Sequence, residues 1–380
     1  MPIFIFVFVV FNSGYCLFLL YVLYHWNRIQ PVTTTSGSKQ EKPIALSVII
    51  PVRNEAGRIE LLLQDLGKQH TGNYIFEAWV VDDESTDETR QIVKEFKSKV
   101  SYPLHLLQAV RQPGLSPKKQ ALAQGIARAS GEIIITTDGD CRVGKKWLTG
   151  FAGSFQNPHN HFVFGPVSFY RESTLFEHMQ TVEFASLIGV GGASLQAGHP
   201  NMCNGANLAF RKSVFYELGG YHDNLHIPSG DDEFLMKKAF SRYPEGISFL
   251  KGPEHTVYTL AKAQLSEFYH QRRRWAGKWK LHKDWRVALL ALAVFSYHAM
   301  FLVTVGLTLC GLFPWTVLTG GLGIKIFLEG LLLTSVLQDS GKRFRPFPFI
   351  VTQLLYAVYA VFFGIAANTG KYTWKGRAYR

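Results

Sequence analysis

Residues 2–24 (PIFIFVFVVFNSGYCLFLLYVLY) contain no Lys, Arg, Asp or Glu, and about 20 apolar residues suffice to cross the hydrocarbon of a bilayer. Three more apolar blocks lie at about 287–312, 315–337 and 347–368. A water-soluble globule cannot hide all four, so the chain is expected to be an integral membrane protein with a mixed domain between its anchors. A cleavable leader would have an apolar core of about 7–15 residues, a basic start and a small-residue cleavage site. The first block is longer and no Lys or Arg precedes it, which predicts an uncleaved anchor.

Positive charge predicts orientation. Arg28, Lys39 and Lys42 follow the first block, and Lys342, Arg343 and Arg345 separate the last two. Arg272, Arg273, Arg274, Lys278, Lys280, Lys283 and Arg286 precede the second block, with Asp284 the one acid among them. These clusters favour the cytoplasm, and the uncharged Gly311–Trp315 turn favours the other side. The basic tail (Lys371, Lys375, Arg377, Arg380) conflicts with three further crossings, which would leave it outside. Either the last block is re-entrant or interfacial, or the charge rule fails there. Lys325 and Glu329 are four apart, close enough to pair on a helix. Intramembrane ions are costly and often functional; a structural pair is the equal alternative.

Of the 380 residues 47% are hydrophobic and 18% charged, which excludes disorder, and 34 Gly with 16 Pro exclude a collagen- or linker-like chain. Forty basic against 28 acidic residues give +12, which points to a polyanionic partner: nucleic acid, a phosphorylated substrate or anionic lipid. The four cysteines show no CxxC spacing and suit a reducing compartment.

The domain spans about residues 43–285. Leu46–Pro51, Trp79–Val81, Leu104–Leu107 and Ile133–Ile135 read as short buried strands. Helical patterns run from Asn54 through Leu61–Leu66, over Glu88–Phe96 and over Lys118–Ala129. This alternation predicts an α/β fold with a mainly parallel sheet, whose ligands bind beyond the carboxyl ends of the strands. Arg53–Glu55, Asp82–Asp83 and Asp138–Asp140 all fall at such ends.

Asp138-Gly139-Asp140 sets two carboxylates close together, an arrangement that Mg²⁺ or Mn²⁺ shared with substrate phosphates would neutralise; an acidic turn is the plain alternative. Asp82 and Asp83 could equally cap the following helix. Lys118 and Lys119 stand near a helix start, where ammonium and free N–H groups could hold a phosphate, or form a solvated turn. Gly230-Asp231-Asp232-Glu233 could charge a helix N-terminus or supply a general base. Gln271-Arg272-Arg273-Arg274-Trp275 could rest on anionic lipid or offer guanidinium forks to a diphosphate.

In this order these motifs resemble a membrane-bound family 2 glycosyltransferase with a GT-A domain, over about Leu46–Trp275. The resemblance implies nucleotide contacts at Pro51, Glu55, Asp82 and Asp83. It implies a diphosphate contact at Lys118 of KKQAL, and a metal pair at Asp138 and Asp140, with Asp140 the direct ligand. The base it implies is Asp232, and Gln271, Arg274 and Trp275 match Q-x-x-R-W, which closes over donor and acceptor. The departures are Glu233 extending the acid triplet, Cys141 after the pair, and a membrane part small for a processive polysaccharide synthase. Lys371–Tyr379 resembles the tail of bacterial transferases acting on lipid or carotenoid acceptors and of ceramide glucosyltransferase-like proteins.

The organisation expected is an anchor (1–26), a linker (27–42), a cytoplasmic domain (43–285), a membrane region (286–370) and a tail (371–380), in a bacterial cell membrane. The expected function is inverting, metal-dependent transfer of a sugar from a nucleotide-sugar, UDP-linked, to a membrane lipid-type or glycan acceptor, with Mg²⁺ or Mn²⁺ as cofactor and no nucleic-acid partner. The rivals are a processive synthase of a poly-N-acetylglucosamine-like polymer, a nucleotidyltransferase and a non-catalytic membrane scaffold.

Overall fold

The computed structural model describes residues 1–31, 42–276, 285–366, 372–374 and 377–379. Lys39, Lys278, Lys280, Lys283, Asp284, Lys371, Lys375 and Arg380, and the side chain of Arg377, lie outside the described residues.

After helix α1 (Pro2–Arg28), strands β1 (Ile44–Val52), β2 (Tyr74–Asp82), β3 (Leu104–Gln108) and β4 (Ile133–Thr136) alternate with helices α2 (Ile59–Leu66), α3 (Thr89–Lys97) and α4 (Pro117–Arg128). There follow α5 (Trp147–Gln156), β5 (Phe162–Phe164), β6 (Val167–Phe169), α6 (Leu175–Gln196), β7 (Leu208–Arg211), α7 (Lys212–Glu217), α8 (Glu233–Arg242), β8 (Ile247–Phe249), β9 (Val257–Thr259) and α9 (Leu265–Ala276). The described residues end with α10 (Trp285–Leu309), α11 (Trp315–Asp339), α12 (Pro346–Ala366) and a hairpin, β10 (Tyr372–Trp374) and β11 (Arg377–Tyr379).

The main sheet has the order β3-β2-β1-β4-β7-β5-β8. β1 to β4 pair in parallel, as alternating strands and helices require. β7 runs antiparallel to both neighbours. Val48, Ile49 and Ile50 are fully buried, so the continuous apolar run is a central strand covered on both faces. One boundary differs from expectation: α2 begins at Ile59, not Asn54. Asn54 takes a left-handed φ of 55°, and the β2–α3 loop with the first residue of α3 accepts the backbone N–H groups of Asn54, Glu55 and Ala56 through Ser85, Thr89 and Asp87 respectively. Tertiary hydrogen bonds thus replace the first helical turn.

Among the described residues four helices, α1, α10, α11 and α12, are long and apolar enough to cross a membrane. The fully buried Trp26 donates to Asp339 over 2.9 Å, and Lys251 of the domain pairs with Asp339 at 3.0 Å. At the other end of α1, Phe8 packs edge-on against Phe313. Arg28 and the Lys342–Arg345 loop therefore stand on the domain's side and the Gly311–Trp315 turn on the far side, the grouping the charges demanded. α6 is unforeseen. Its Gly189 and Gly192 let Val336 of α11 and Trp26 of α1 approach closely, so a helix of the domain joins the apolar layer. α12 is tied to the domain at both ends: Arg345 meets His178 of α6, Tyr359 donates to Glu183 of α6, and Phe363 packs on Phe268 and Tyr269 of α9.

Candidate active site

The carboxyl ends of β1, β2 and β4 lie side by side, with Val52 opposite Asp82 and Ile49 opposite Thr136. Their loops bring the acidic motifs to one edge. A Cβ at Gly139 would come within 2.7 Å of Val52 Cγ1, so the residue between the two aspartates has no room for a side chain. Lys118, at the start of α4, reaches Asp138 Oδ1 at 2.9 Å and Asp231 Oδ2 at 3.2 Å, bridging two motifs far apart in sequence. Burial opposes its charge, but Asp138 and Asp231, with Asp232 beyond, hold the ammonium pKa above its ordinary value. Lys118 is therefore a cation throughout the neutral range. Its neighbour Lys119 is fully buried and donates to the carbonyl and side chain of Asn224; it is a core lysine.

Arg58 contacts both Glu55 (3.7 Å) and Asp140 (3.9 Å), a link the sequence reading missed because Arg58 matches none of the motifs. Burial, then Asp140 and Asp138, push the Cys141 thiol up, so the unusual cysteine stays protonated. Among the described residues no three His, Cys, Asp or Glu side chains converge as a metal cage. Asp138 and Asp140, two carboxylates at the cavity wall, are the residues that would hold Mg²⁺ or Mn²⁺, an ion commonly bound by one or two carboxylates together with substrate phosphates.

Gly230 has φ 76°, a glycine conformation that turns the chain into the acid triplet. Asp232 caps α8: its Oδ1 accepts the Glu233 N–H at 2.8 Å and its Oδ2 the Gly205 N–H at 3.0 Å. The capping role is therefore present, and it also fixes the carboxylate in the cavity wall.

In α9, Gln271, Arg274 and Trp275 line the same cavity, with Trp275 stacked on Phe184 of α6. Arg272 does not offer its fork to a ligand. It is 2% exposed and forms a bidentate pair with Glu183, whose other contact is Tyr359. Glu183 was legible only as a single acid in the apolar stretch 182–196. Removing one partner of a buried pair costs about 3–5 kcal/mol, so Arg272→Ala is expected to lower the thermal unfolding midpoint sharply. An unchanged melting curve would show that the clasp does not hold α9.

One cavity of about 1890 Å³ takes in Glu55, Lys118, Asp138, Asp140, Asp232, Gln271, Arg274 and Trp275. Pro51, Asp82 and Asp83 do not line it. Pro51 lies in β1, Asp82 is fully buried with its carboxylate accepting the Ser85 N–H, and Asp83 is buried 3.9 Å from Arg111. The cavity extends into the apolar layer, past Leu289, Leu292, Leu332, Leu333 and Phe363.

The family model of Glycosyl transferase family 2 matches residues 47–219. Glycosyltransferase AglE of Haloferax volcanii is 27% identical over 202 residues, 51% of this chain and 60% of AglE. The poly-beta-1,6-N-acetyl-D-glucosamine synthase of Staphylococcus epidermidis is 26% identical over 199 residues, 52% of this chain and 46% of the synthase. The match thus spans about half the length of these curated relatives. The mannosyltransferase PcManGT from Pyrobaculum calidifontis, solved in complex with GDP-Man and Mn²⁺, shares the fold over 96% of each chain with a TM-score of 0.55 and 18% identity.

Proposed function

We propose that this chain, which carries a glycosyl transferase family 2 domain on a GT-A fold, moves a sugar with inversion from a nucleotide-sugar to a lipid-type acceptor lying in the membrane. The observation that carries this reading is the single cavity running from Asp138, Asp140 and Asp232 into the apolar helices. A lipid can hold its chain between α10, α11 and α12 and present a hydroxyl to the acids. Asp138 and Asp140 would hold Mg²⁺ or Mn²⁺, which supplies positive charge for the departing diphosphate. Lys118 and Arg274, which line the same cavity, add cationic charge. Asp232 takes the proton of the acceptor hydroxyl as its oxygen attacks the anomeric carbon. Asp231 suits the base less well, because one of its carboxylate oxygens is already engaged by the Lys118 ammonium at 3.2 Å.

The relative that makes poly-N-acetylglucosamine supports a processive alternative, but leucines and phenylalanines along the inner cavity suit a lipid chain better than a polar glycan. The deciding assay incubates membranes with UDP-sugars and GDP-mannose, the second because PcManGT was solved with GDP-Man. A labelled lipid is the expected product. Label confined to polymer overturns the lipid reading, and no transfer from any UDP-sugar overturns the donor.

Topology belongs to the same reading. α1, α10 and α11 cross the membrane, whereas α12, held by contacts with α6 and α9 toward both ends, stays on the domain's side. The tail hairpin packs against α9 through β10, which supports a tail on the domain's side. Reporters placed after Arg28, in the Lys342–Arg345 loop and after Arg380 are all expected to read cytoplasmic. An external reading at the last alone restores α12 as a crossing.

A further inference from the structure

The cavity's inner end holds a polar group that sugar transfer does not use. Gln353 of α12, Glu329 of α11 and Tyr15 of α1 line it. Glu329 takes a hydrogen bond from Tyr15 at 2.6 Å and pairs with Lys325 at 3.0 Å. Lys325 also donates to the Gln353 side-chain oxygen. An ammonium only donates, so that contact fixes which end of the amide is oxygen and turns the NH₂ group away from Lys325. Gln353 is 6% exposed, and among the described residues nothing accepts from its Nε2. Gln353 lines the cavity, and covering its N–H donors with an apolar chain that offers no acceptor is costly; the Lys325–Glu329 pair does not require the amide.

We propose that the acceptor carries, on its apolar body, a second, uncharged hydrogen-bonding group, a hydroxyl or carbonyl, that docks on Gln353 Nε2 beside Glu329. This rests on the lipid-acceptor reading above and narrows the lipid. A plain hydrocarbon chain leaves the amide unsatisfied. A phosphate is excluded because the charges are already balanced, one Lys325 to one Glu329, and a further anion would face Glu329. A hydroxyl meets both needs: it accepts from Nε2, and it can donate to a Glu329 oxygen, each of which keeps a second lone pair. Glu329 lies ten residues before Asp339, the partner of the domain's Lys251, or about 15 Å along α11. The docked group is therefore on the lipid's body and not at its reacting end.

The test uses the full chain in lipid nanodiscs and a set of octadecanoyl monoglycerides, one unsubstituted and the others hydroxylated at successive chain positions. Trp275 and Trp285 line the cavity, so intrinsic fluorescence reports its filling. One hydroxyl position is expected to bind about 3–10-fold tighter than the unsubstituted lipid, the range for one net hydrogen bond. Gln353→Met should abolish that preference, because without the amide the unsubstituted lipid no longer leaves a donor unpaired and binds as well as its hydroxylated isomers. Should Gln353→Met not fold, Gln353→Glu keeps an oxygen for Lys325 and removes the N–H donors, with the same loss expected. If all isomers bind alike, or the preference survives both substitutions, the proposal is overturned while the lipid-acceptor reading stands. If no monoglyceride changes the fluorescence, that reading fails and takes the proposal with it.

Discussion

Asp232→Asn is expected to lower kcat by about 10²–10⁴-fold, the usual cost of removing a general base, with donor affinity retained. The substitution is not structurally silent. Both carboxylate oxygens accept a backbone N–H, from Glu233 and from Gly205. An asparagine has one acceptor oxygen, so its NH₂ must face one of those donors, at a cost in stability of about 1–3 kcal/mol. Folding must therefore be measured beside turnover: donor titration and thermal unfolding on one preparation, single-turnover transfer on the other. Asp231→Asn breaks the contact with Lys118 and should act mainly on donor binding. If Asp232→Asn turns over normally while Asp231→Asn or Glu233→Gln is dead, the proton goes to another carboxylate. If all three are active, the triplet only caps α8.

Chelating divalent cations is expected to abolish transfer, with Mn²⁺ or Mg²⁺ restoring it. Charge stabilisation by a bound cation is worth several kcal/mol, so the loss is on the order of 10³-fold or more. Asp140→Asn should reproduce it. In that variant Arg58 loses one of its two carboxylate contacts and keeps Glu55. Mn²⁺ titration followed by electron paramagnetic resonance separates binding from catalysis: the wild type should take up the ion in the presence of nucleoside diphosphate and Asp140→Asn should not. Full activity in excess EDTA would remove the metal from the mechanism and leave neutralisation of the diphosphate to Lys118 and Arg274.

Much of the architecture was legible in the chain. Strand runs such as Val48–Ile50 and Ile133–Ile135 are apolar on both faces, and that pattern means a covered parallel strand whatever surrounds it. The four apolar helices were legible for the same reason, since hydropathy and length are properties of a segment. The acids at the strand ends could be placed at one edge because a parallel sheet puts those ends together. Local patterning failed where partners are distant. The turn at Asn54 is held by Ser85, Thr89 and Asp87, so its local helical pattern was overruled from another loop. Lys118 and Lys119 are adjacent and chemically alike, and only packing sent one to the acids and the other to Asn224. Arg272 and Arg274 differ likewise, because Glu183, from a helix that gave no periodic signal, claims the first.

By itself the sequence determined which segments must be covered by lipid or protein, and which side chains carry charge to a sheet edge, because burial and strand polarity follow from local composition. Only the tertiary structure decided which charges meet. Contacts such as Lys118–Asp231, Arg272–Glu183 and Lys325–Gln353 depend on distances of a few ångströms between elements and join residues too far apart for any spacing rule, whereas Lys325–Glu329 is a pair that spacing could give. The same is true of the cavity, whose walls come from α1, α6, α9, α10, α11 and α12 together. Its shape is a property of how those helices pack.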